Sequence, residues 1–322
     1  MQYSDLPPLM RSCSRSPSGP SGVAAFLLAT LVTALLPIPG DLAAQLPELK
    51  LYETGRWAVP DDFVIAGATG GPDGMMSVWS DERVLVLDST LAVVSSIQVP
   101  ATTGSYWVGV RSRGIELLSS ESSEIRTLDY SGAALGTVSL DLPGPVRHAT
   151  HSDGSWYVVA GLHPDSTENV ILEIRPDRSI ERIARTHVQG LLSVGSDRVF
   201  LARTSRPHGT EIVAGEDAGH VLRPKEGLID SLTIATRGRS PDNWVALPML
   251  DVGRAFVQSF ADLSSDWRVV VVYDRDGSPA RSQIYRVPIG LVASDGDRET
   301  LLSVLRLNRP EIVRYRWGWE PK

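Results

Sequence analysis

The sequence predicts an all-β protein in which small antiparallel sheets follow one another along the chain. Three observations favour this fold. A turn containing glycine or aspartate recurs every 40 to 56 residues, a second series of turns alternates with it, and apolar runs of strand length lie between the turns. Self-similarity at this period is typical of repeat architectures whose unit is a small sheet. No helical apolar periodicity of useful length interrupts the pattern after residue 45.

The turns define the repeating unit. Glycine and aspartate suit them because tight hairpins need positive φ or a turn capped by a side chain. The first series, between the first and second strands, is at Gly74, Gly114, Gly154, Asp197, Gly253 and Gly296. The second series, between the third and fourth strands, is at Asp88, Gly132, Asp177, Asp217 and Gly277. Two series in phase predict a four-stranded antiparallel sheet as the repeat.

Counting repeats predicts a six-bladed β-propeller. Five complete blades cover 61–100, 101–143, 144–187, 188–237 and 238–287, and a sixth begins at Pro288 but ends one strand short. The N-terminal stretch Leu49 to Trp57 (LKLYETGRW) reads as a strand without a nearby partner. We expect it to complete the last blade, which would close the ring and remove an exposed edge. The 56-residue interval before Gly253 indicates a loop insertion rather than a seventh blade.

Two segments carry a resemblance to known families. These are the glycine turn before an apolar second strand (SDGSWYVVA, Ser152 to Ala160) and the aspartate–glycine turn after the third strand (VVVVYDRDG, Val269 to Gly277). Over nearly all of 49–322 the chain resembles six-bladed propellers of the TolB-like and NHL-repeat type. Seven-bladed WD-repeat proteins fit less well, because no blade carries their Gly-His and Trp-Asp pairs.

The N-terminus predicts export. Arg11 and Arg15 precede the apolar run Val23 to Leu36, which is followed by small residues ending at Ala44. This order describes a secretory signal over 1–44, which leaves one propeller domain over 45–322. The apolar run is shorter than a spanning helix requires, although an uncleaved anchor is the alternative. We expect a periplasmic or extracellular monomer without a further membrane span.

Composition and spacing exclude several functions. The net charge of −7 argues against nucleic acid as a partner, because phosphates attract a positive surface. Cys13, the single cysteine, lies within the signal, so the exported chain has no disulfide. His148 and His151 are three apart on a strand and should point to opposite faces, which disfavours a shared metal ion. We predict neither a metal nor a cofactor.

The candidate binding surface is the loop face, the end of the ring where the second-to-third loops and the blade-to-blade loops gather. Arginines there could bind a carboxylate or phosphate, and tryptophans could stack on a ring. The alternative is that they are solvated or packing residues. The candidates are Trp79, His163, Arg203, Arg206, His208, Arg237, Arg239, Trp244, Arg306 and Arg309.

These observations predict an exported, non-catalytic propeller that binds a protein or a small, possibly anionic ligand on its loop face. The chain contains neither a G-x-S-x-G elbow nor an H-E-x-x-H motif. The alternative is a metal-dependent hydrolase or lyase, since the resembled families include lactonases and esterases that hold an ion with Glu, Asn and Asp from first strands. The first strands here are mostly apolar and contain no glutamate, which disfavours such a site. A sugar-binding role through exposed tryptophans is a third hypothesis.

Overall fold

A computed structural model describes residues 50–100, 105–163, 167–204, 209–215, 217–235, 240–253, 255–265, 267–285, 289–294, 301–306 and 310–318. They form four-stranded antiparallel sheets arranged as a propeller. The prediction of an all-β propeller with four-stranded antiparallel blades is therefore confirmed. The predicted signal over 1–44 lies outside the described residues.

The strands are short, and all but one contain four to nine residues. They are β1 (Lys50–Ala58), β2 (Gly67–Gly70), β3 (Met76–Trp79), β4 (Arg83–Leu87), β5 (Val93–Gln98), β6 (Tyr106–Arg111), β7 (Gly114–Ser119), β8 (Glu124–Asp129), β9 (Ala134–Ser139), β10 (Val146–Ser152), β11 (Ser155–Gly161), β12 (Asn169–Ile174), β13 (Ile180–Thr186), β14 (Gly190–Val194), β15 (Arg198–Arg203), β16 (Thr210–Gly215), β17 (Val221–Leu222), β18 (Trp244–Asp251), β19 (Ala255–Asp262), β20 (Arg268–Asp274), β21 (Pro279–Tyr285), β22 (Ile289–Ser294), β23 (Leu301–Arg306) and β24 (Glu311–Gly318).

The described strands pair into six sheets. Sheets one to five are β2–β5, β6–β9, β10–β13, β14–β17 and β18–β21, each in chain order. Sheet six has the order β1-β24-β23-β22, and β1 pairs antiparallel with β24 from Lys50 opposite Gly318 to Ala58 opposite Glu311. The first strand of each sheet contacts the first strand of the next, and β22 contacts β2. The first strands therefore surround a central channel.

In sheets one to five the second strands are almost entirely buried, and in sheets one to three the fourth strands are mostly exposed. Every residue of the second strands β7 and β19 is buried, whereas every residue of the fourth strand β9 is exposed. The inner strands read as nearly continuous apolar runs because both of their faces pack against neighbouring sheets. The apolar core consequently lies between sheets, where the rings of Trp156 and Trp244 are fully buried.

The turns follow the predicted chemistry. Asp88 accepts hydrogen bonds from the backbone N–H groups of Thr90 (2.8 Å) and Ala92 (3.0 Å). Asp129 caps the corresponding turn of sheet two, accepting from the N–H of Ser131 at 2.9 Å, and Gly132 follows with φ +87°. These local bonds explain why an aspartate recurs between third and fourth strands. The first-series turn at Gly296 lies outside the described residues.

One helix lies where the sequence analysis expected only a loop insertion. Helix α1 (Leu228–Ala235) stands between β17 and β18, inside the longest interval between turns. Leu228, Ile229 and Leu232 are buried against sheets four and five. Two helical turns are too short to produce an apolar periodicity that sequence inspection can detect. Among the described helices, none is long and apolar enough to cross a membrane.

Side chains join sheet six to sheet one at the seam of the ring. Arg314 of β24 donates hydrogen bonds to the carbonyls of Gly74 (2.7 Å) and Ser89 (2.6 Å), which belong to the two turns of sheet one. The backbone N–H of Val59 also donates to the carbonyl of Pro310 at 2.8 Å. The N-terminal strand and the C-terminal sheet are thus fixed to each other and to their neighbour.

We predict that the ring depends on β1. A chain that begins at Ala58 should lose cooperative thermal melting or aggregate, because deleting β1 exposes the unpaired edge of β24. A chain that begins at Leu49 keeps β1 and is the control. Calorimetry and light scattering compare the two chains. Equally sharp melting at the same temperature would contradict a structural role for β1.

Candidate functional site

The candidate site is the central channel, a cavity of about 510 Å³ lined by residues from all six first strands. One end of the cavity lies toward the loop face. The other end lies toward the turn rim, where the hairpins between first and second strands lie, because those hairpins all occur at the same end of the antiparallel sheets. The two halves of the channel differ in chemistry.

The loop-face half is aromatic and apolar. Trp79, the last residue of β3, and Trp107, the second residue of β6, line the cavity and are 6% and 5% exposed. The Trp79 ring covers Gly67, where a Cβ atom would lie 2.2 Å from the ring, so only glycine fits there. Among the described residues the buried indole N–H of Trp79 has no hydrogen-bond partner. This half of the channel therefore contains an unsatisfied donor within an apolar wall.

His148 of β10 lines the same half of the channel. Its Nδ1 accepts a hydrogen bond from the backbone N–H of Leu192 in β14 at 3.0 Å. An accepting Nδ1 places the proton of the neutral ring on Nε2. Burial lowers the pKa of His148 well below its usual value of 6.5, so the ring is neutral at pH 7. The imidazole meets the Trp107 ring edge-on, with 6.5 Å between the ring centroids.

A second hydrogen bond of the same kind joins the next two first strands. Ser193 Oγ of β14 accepts from the backbone N–H of Met249 in β18 at 3.1 Å. First strands are the inner edges of their sheets and would otherwise leave such donors unpaired. One role of His148 is therefore structural, since it satisfies a backbone donor on the neighbouring edge.

The turn-rim half of the channel is charged, and its main feature is Glu116 of β7. Glu116 is 1% exposed and accepts hydrogen bonds from Arg178 at 2.5 Å and from the indole N–H of Trp156 at 2.8 Å. It also forms an ion pair with Arg111, whose Nε lies 3.0 Å from the carboxylate. Burial alone would raise the pKa of Glu116, but the hydrogen bonds from Arg178 and Trp156 and the charge of Arg111 outweigh it and lower the pKa. This cluster joins sheet two to sheet three.

His151 lies beside this cluster. Its Nε2 is 3.9 Å from the Glu116 carboxylate, and it has no hydrogen-bond partner among the described residues. The ring packs against Gly109, where a Cβ atom would lie 2.6 Å from it, and meets Trp156 edge-on at 5.1 Å. Burial lowers the pKa of His151 to about 4. His151 thus contacts sheet two, whereas His148 hydrogen-bonds to sheet four.

A second charged cluster joins sheets four and five at the turn rim. Arg275 pairs with Asp251 at 2.8 Å and with Asp197 at 3.4 Å, while its guanidinium lies 4.4 Å from the centroid of the Phe256 ring. Arg198 pairs with Asp197 at 3.0 Å. Asp251 also lines the channel, so this channel carboxylate is already held in an ion pair.

The structure places four of the predicted binding residues in different settings. Trp79 lines the channel, His163 is an exposed loop residue, and Arg203 pairs with Glu211 at 3.2 Å. Trp244, predicted in a loop, is instead the first residue of β18. It is fully buried and its indole N–H donates to Thr233 Oγ1 at 3.0 Å, because α1 covers it.

The other predicted residues are not brought together by the described part of the chain. Arg306 is the last residue of β23, and nothing is described of its side chain. Arg206, His208, Arg237, Arg239 and Arg309 lie outside the described residues. The arginine cluster on the loop face stays a prediction.

Sequence reasoning missed His148 as a channel residue and did not rank Trp107 among the candidates. Both lie near the loop-face end of first strands, Trp107 as the second residue of β6 and His148 as the third residue of β10. That position is the available signal, because first strands line the channel. Among the described residues, no three His, Cys, Asp or Glu side chains are grouped so that they could hold a metal ion.

Comparison with known proteins identifies the fold. No protein-family model matches the chain, and no curated protein matches it in sequence. A Bacteroides fragilis protein named for its expected export is 9% identical with a TM-score of 0.51, over 86% of this chain and 96% of that chain. Streptogramin B lyase is 14% identical with a TM-score of 0.47, over 84% of this chain and 98% of that chain. Hsv2 of Kluyveromyces lactis is 15% identical with a TM-score of 0.47, over 75% of this chain and 71% of that chain. Of these, the similarity to the Bacteroides fragilis protein supports a shared fold and nothing further, and the TolB-like or NHL-like family stays a prediction.

We predict that acid destabilises the protein through His151. Its pKa is about 4 in the folded state and about 6.5 when unfolded, so protons bind preferentially to the unfolded chain. The contribution of His151 to the free energy of unfolding is fully present above pH 6.5. It is lost as the pH decreases to about 4, which lowers the free energy of unfolding by about 3 kcal/mol. Urea unfolding at a series of pH values measures the effect.

His151→Gln should flatten this dependence, although His148 contributes in the same direction. His163→Gln changes an exposed histidine and should leave the wild-type profile. Identical pH profiles for wild type and His151→Gln would show that His151 is not the titrating group.

Proposed function

We propose that this chain is an exported, non-catalytic propeller that binds a small ligand at the loop-face end of its channel. One observation carries the proposal. A cavity of about 510 Å³ has an aromatic and apolar half at the loop face, where Trp79, Trp107 and a neutral His148 meet.

The size and lining of the cavity favour binding of a small molecule. Sites for small ligands are concave cavities of roughly 300–1,000 Å³ that are mostly apolar and contain a few well-placed polar groups. The loop-face half has this composition, since Leu191, the second residue of β14, lines the cavity near the loop-face end, as the two tryptophans do. Six first strands hold the wall, so the site is formed on rigid elements rather than on loops.

Charge supports a binding role over a catalytic one. Arg111 pairs with Glu116 and Asp251 pairs with Arg275, so these charged channel residues are engaged in joining sheets. The groups that line the loop-face half are neutral donors and aromatic rings. Such groups can position a ligand, whereas general acid–base chemistry at neutral pH requires a group whose pKa lies near 7.

The compartment of the protein and the charge of its partner are proposed from the sequence. The order of charge, apolar run and small residues over 1–44 supports export to the periplasm or the cell exterior. The arginines predicted on the loop face support a separate partner there, outside the channel, which is a protein or a small ligand with an anionic group. The alternative, a metal-dependent hydrolase or lyase, predicts one tightly held metal ion per purified chain, which elemental analysis measures.

We predict that filling the channel abolishes ligand entry. The neutral dye phenylnaphthylamine should bind the purified chain at one saturable site, with increased fluorescence, because the aromatic wall accepts a planar apolar molecule. Ala68→Phe adds a ring to the channel wall and should weaken binding by at least about tenfold, which corresponds to 1.4 kcal/mol.

Ala134→Phe places the same substitution on the exposed outer strand β9 and should bind the dye as wild type does. Circular dichroism establishes that both variants fold. Absence of saturable binding, or equal binding by the two variants, would overturn the assignment of the channel as the site.

A further inference from the structure

The donors in the loop-face half of the channel define the chemistry of a ligand. His148 Nδ1 is already engaged as an acceptor from Leu192, so Nε2 carries the proton and can only donate. No described residue hydrogen-bonds to this Nε2. The buried indole N–H of Trp79 is a second donor without a described partner in the same wall. Because the Trp79 nitrogen is buried within the wall, the donor that the wall offers to a ligand is His148 Nε2, which needs an acceptor.

The residues around His148 further restrict the kind of ligand that can bind. Trp107 lies edge-on to His148 with 6.5 Å between ring centroids, and apolar residues complete this half of the cavity. Aromatic walls favour flat molecules through stacking and edge contacts. Arg111, a channel cation, is held by Glu116 at the opposite end. A charged ligand would therefore lose hydration next to His148 without gaining an ion pair with any described residue of this half of the channel.

We propose that the loop-face end of the channel binds a planar, neutral small molecule carrying a hydrogen-bond acceptor such as a carbonyl, and that His148 Nε2 donates to that acceptor. The inference rests on the proposed function, because it names the ligand class of the same site. It also gives His148 two separable roles, one on each ring nitrogen.

The two roles can be tested separately. In His148→Asn the amide oxygen can replace Nδ1 as the acceptor for Leu192, while the Nε2 donor is lost. In His148→Gln the terminal amide nitrogen can replace the Nε2 donor, while the acceptor for Leu192 is lost. The two substitutions should therefore separate ligand binding from stability of the ring.

The experiment measures displacement of phenylnaphthylamine by three planar probes of similar size. Coumarin is neutral and carries a carbonyl, naphthalene is neutral without an acceptor, and naphthoate is anionic. Coumarin should bind wild type about tenfold more tightly than naphthalene or naphthoate, the gain expected of one buried hydrogen bond. His148→Asn should remove this advantage without changing Tm or naphthalene binding. His148→Gln should keep the advantage but lower Tm by about 2–6 °C, because a backbone donor loses its partner.

Equal coumarin affinity in wild type and in His148→Asn would overturn the role of His148. Tighter binding of naphthoate than of coumarin would overturn the neutral ligand class. In both cases the dye still binds in the channel, so the proposed function would survive. Absence of dye binding to wild type would instead refute the proposed function and this inference together.

Discussion

The structure depends on closure of the ring by backbone pairing between the two ends of the chain. A row of sheets has two terminal edges, and an edge with unpaired N–H and C=O groups is open to aggregation. Here β1 pairs with β24 over its whole length, and Arg314 joins this sheet to both turns of sheet one. Closure also brings β22 against β2, which completes the wall of the channel. The proposed ligand site therefore depends on contacts at the seam.

The need to pair backbone groups at the edges of sheets also explains why the two halves of the channel differ. Inner edges must satisfy backbone donors without a strand partner, and His148 and Ser193 do so for Leu192 and Met249. At the turn rim the sheets are joined by charge instead, through clusters centred on Glu116 and Asp251. Among the described channel residues, the charged clusters therefore lie at the turn rim, and the loop-face half is aromatic and neutral. His148 would thus serve both the architecture and the proposed binding site.

The repeat could be predicted from the sequence because its signals are local. The turn at Asp88 is determined by bonds to residues two and four positions later, which sequence patterns record. The radial burial of the sheets follows from the apolar inner strands for the same reason. Helix α1 was not foreseen, because two turns packed on Trp244 give no periodic signal.

The site was less predictable because its contacts join distant parts of the chain. Arg178 reaches Glu116 from 62 residues away, across the boundary between two sheets. The register shift between Val146 and His148 decides where the imidazole lies, and no local pattern reveals a bulge there. The sequence places Trp79 near a loop, yet its position in the channel depends on the absence of a side chain at Gly67.

Hydrogen exchange at the amide of Val59 tests ring closure most directly. This amide donates to the carbonyl of Pro310 next to the end of β1. If the seam opens only when the whole ring unfolds, its free energy of opening should equal that of Leu172, which lies in the central strand β12. Exchange at Val59 that is many times faster, with Leu172 still fully protected, would show that β1 detaches from an intact propeller and would contradict closure as the basis of the fold.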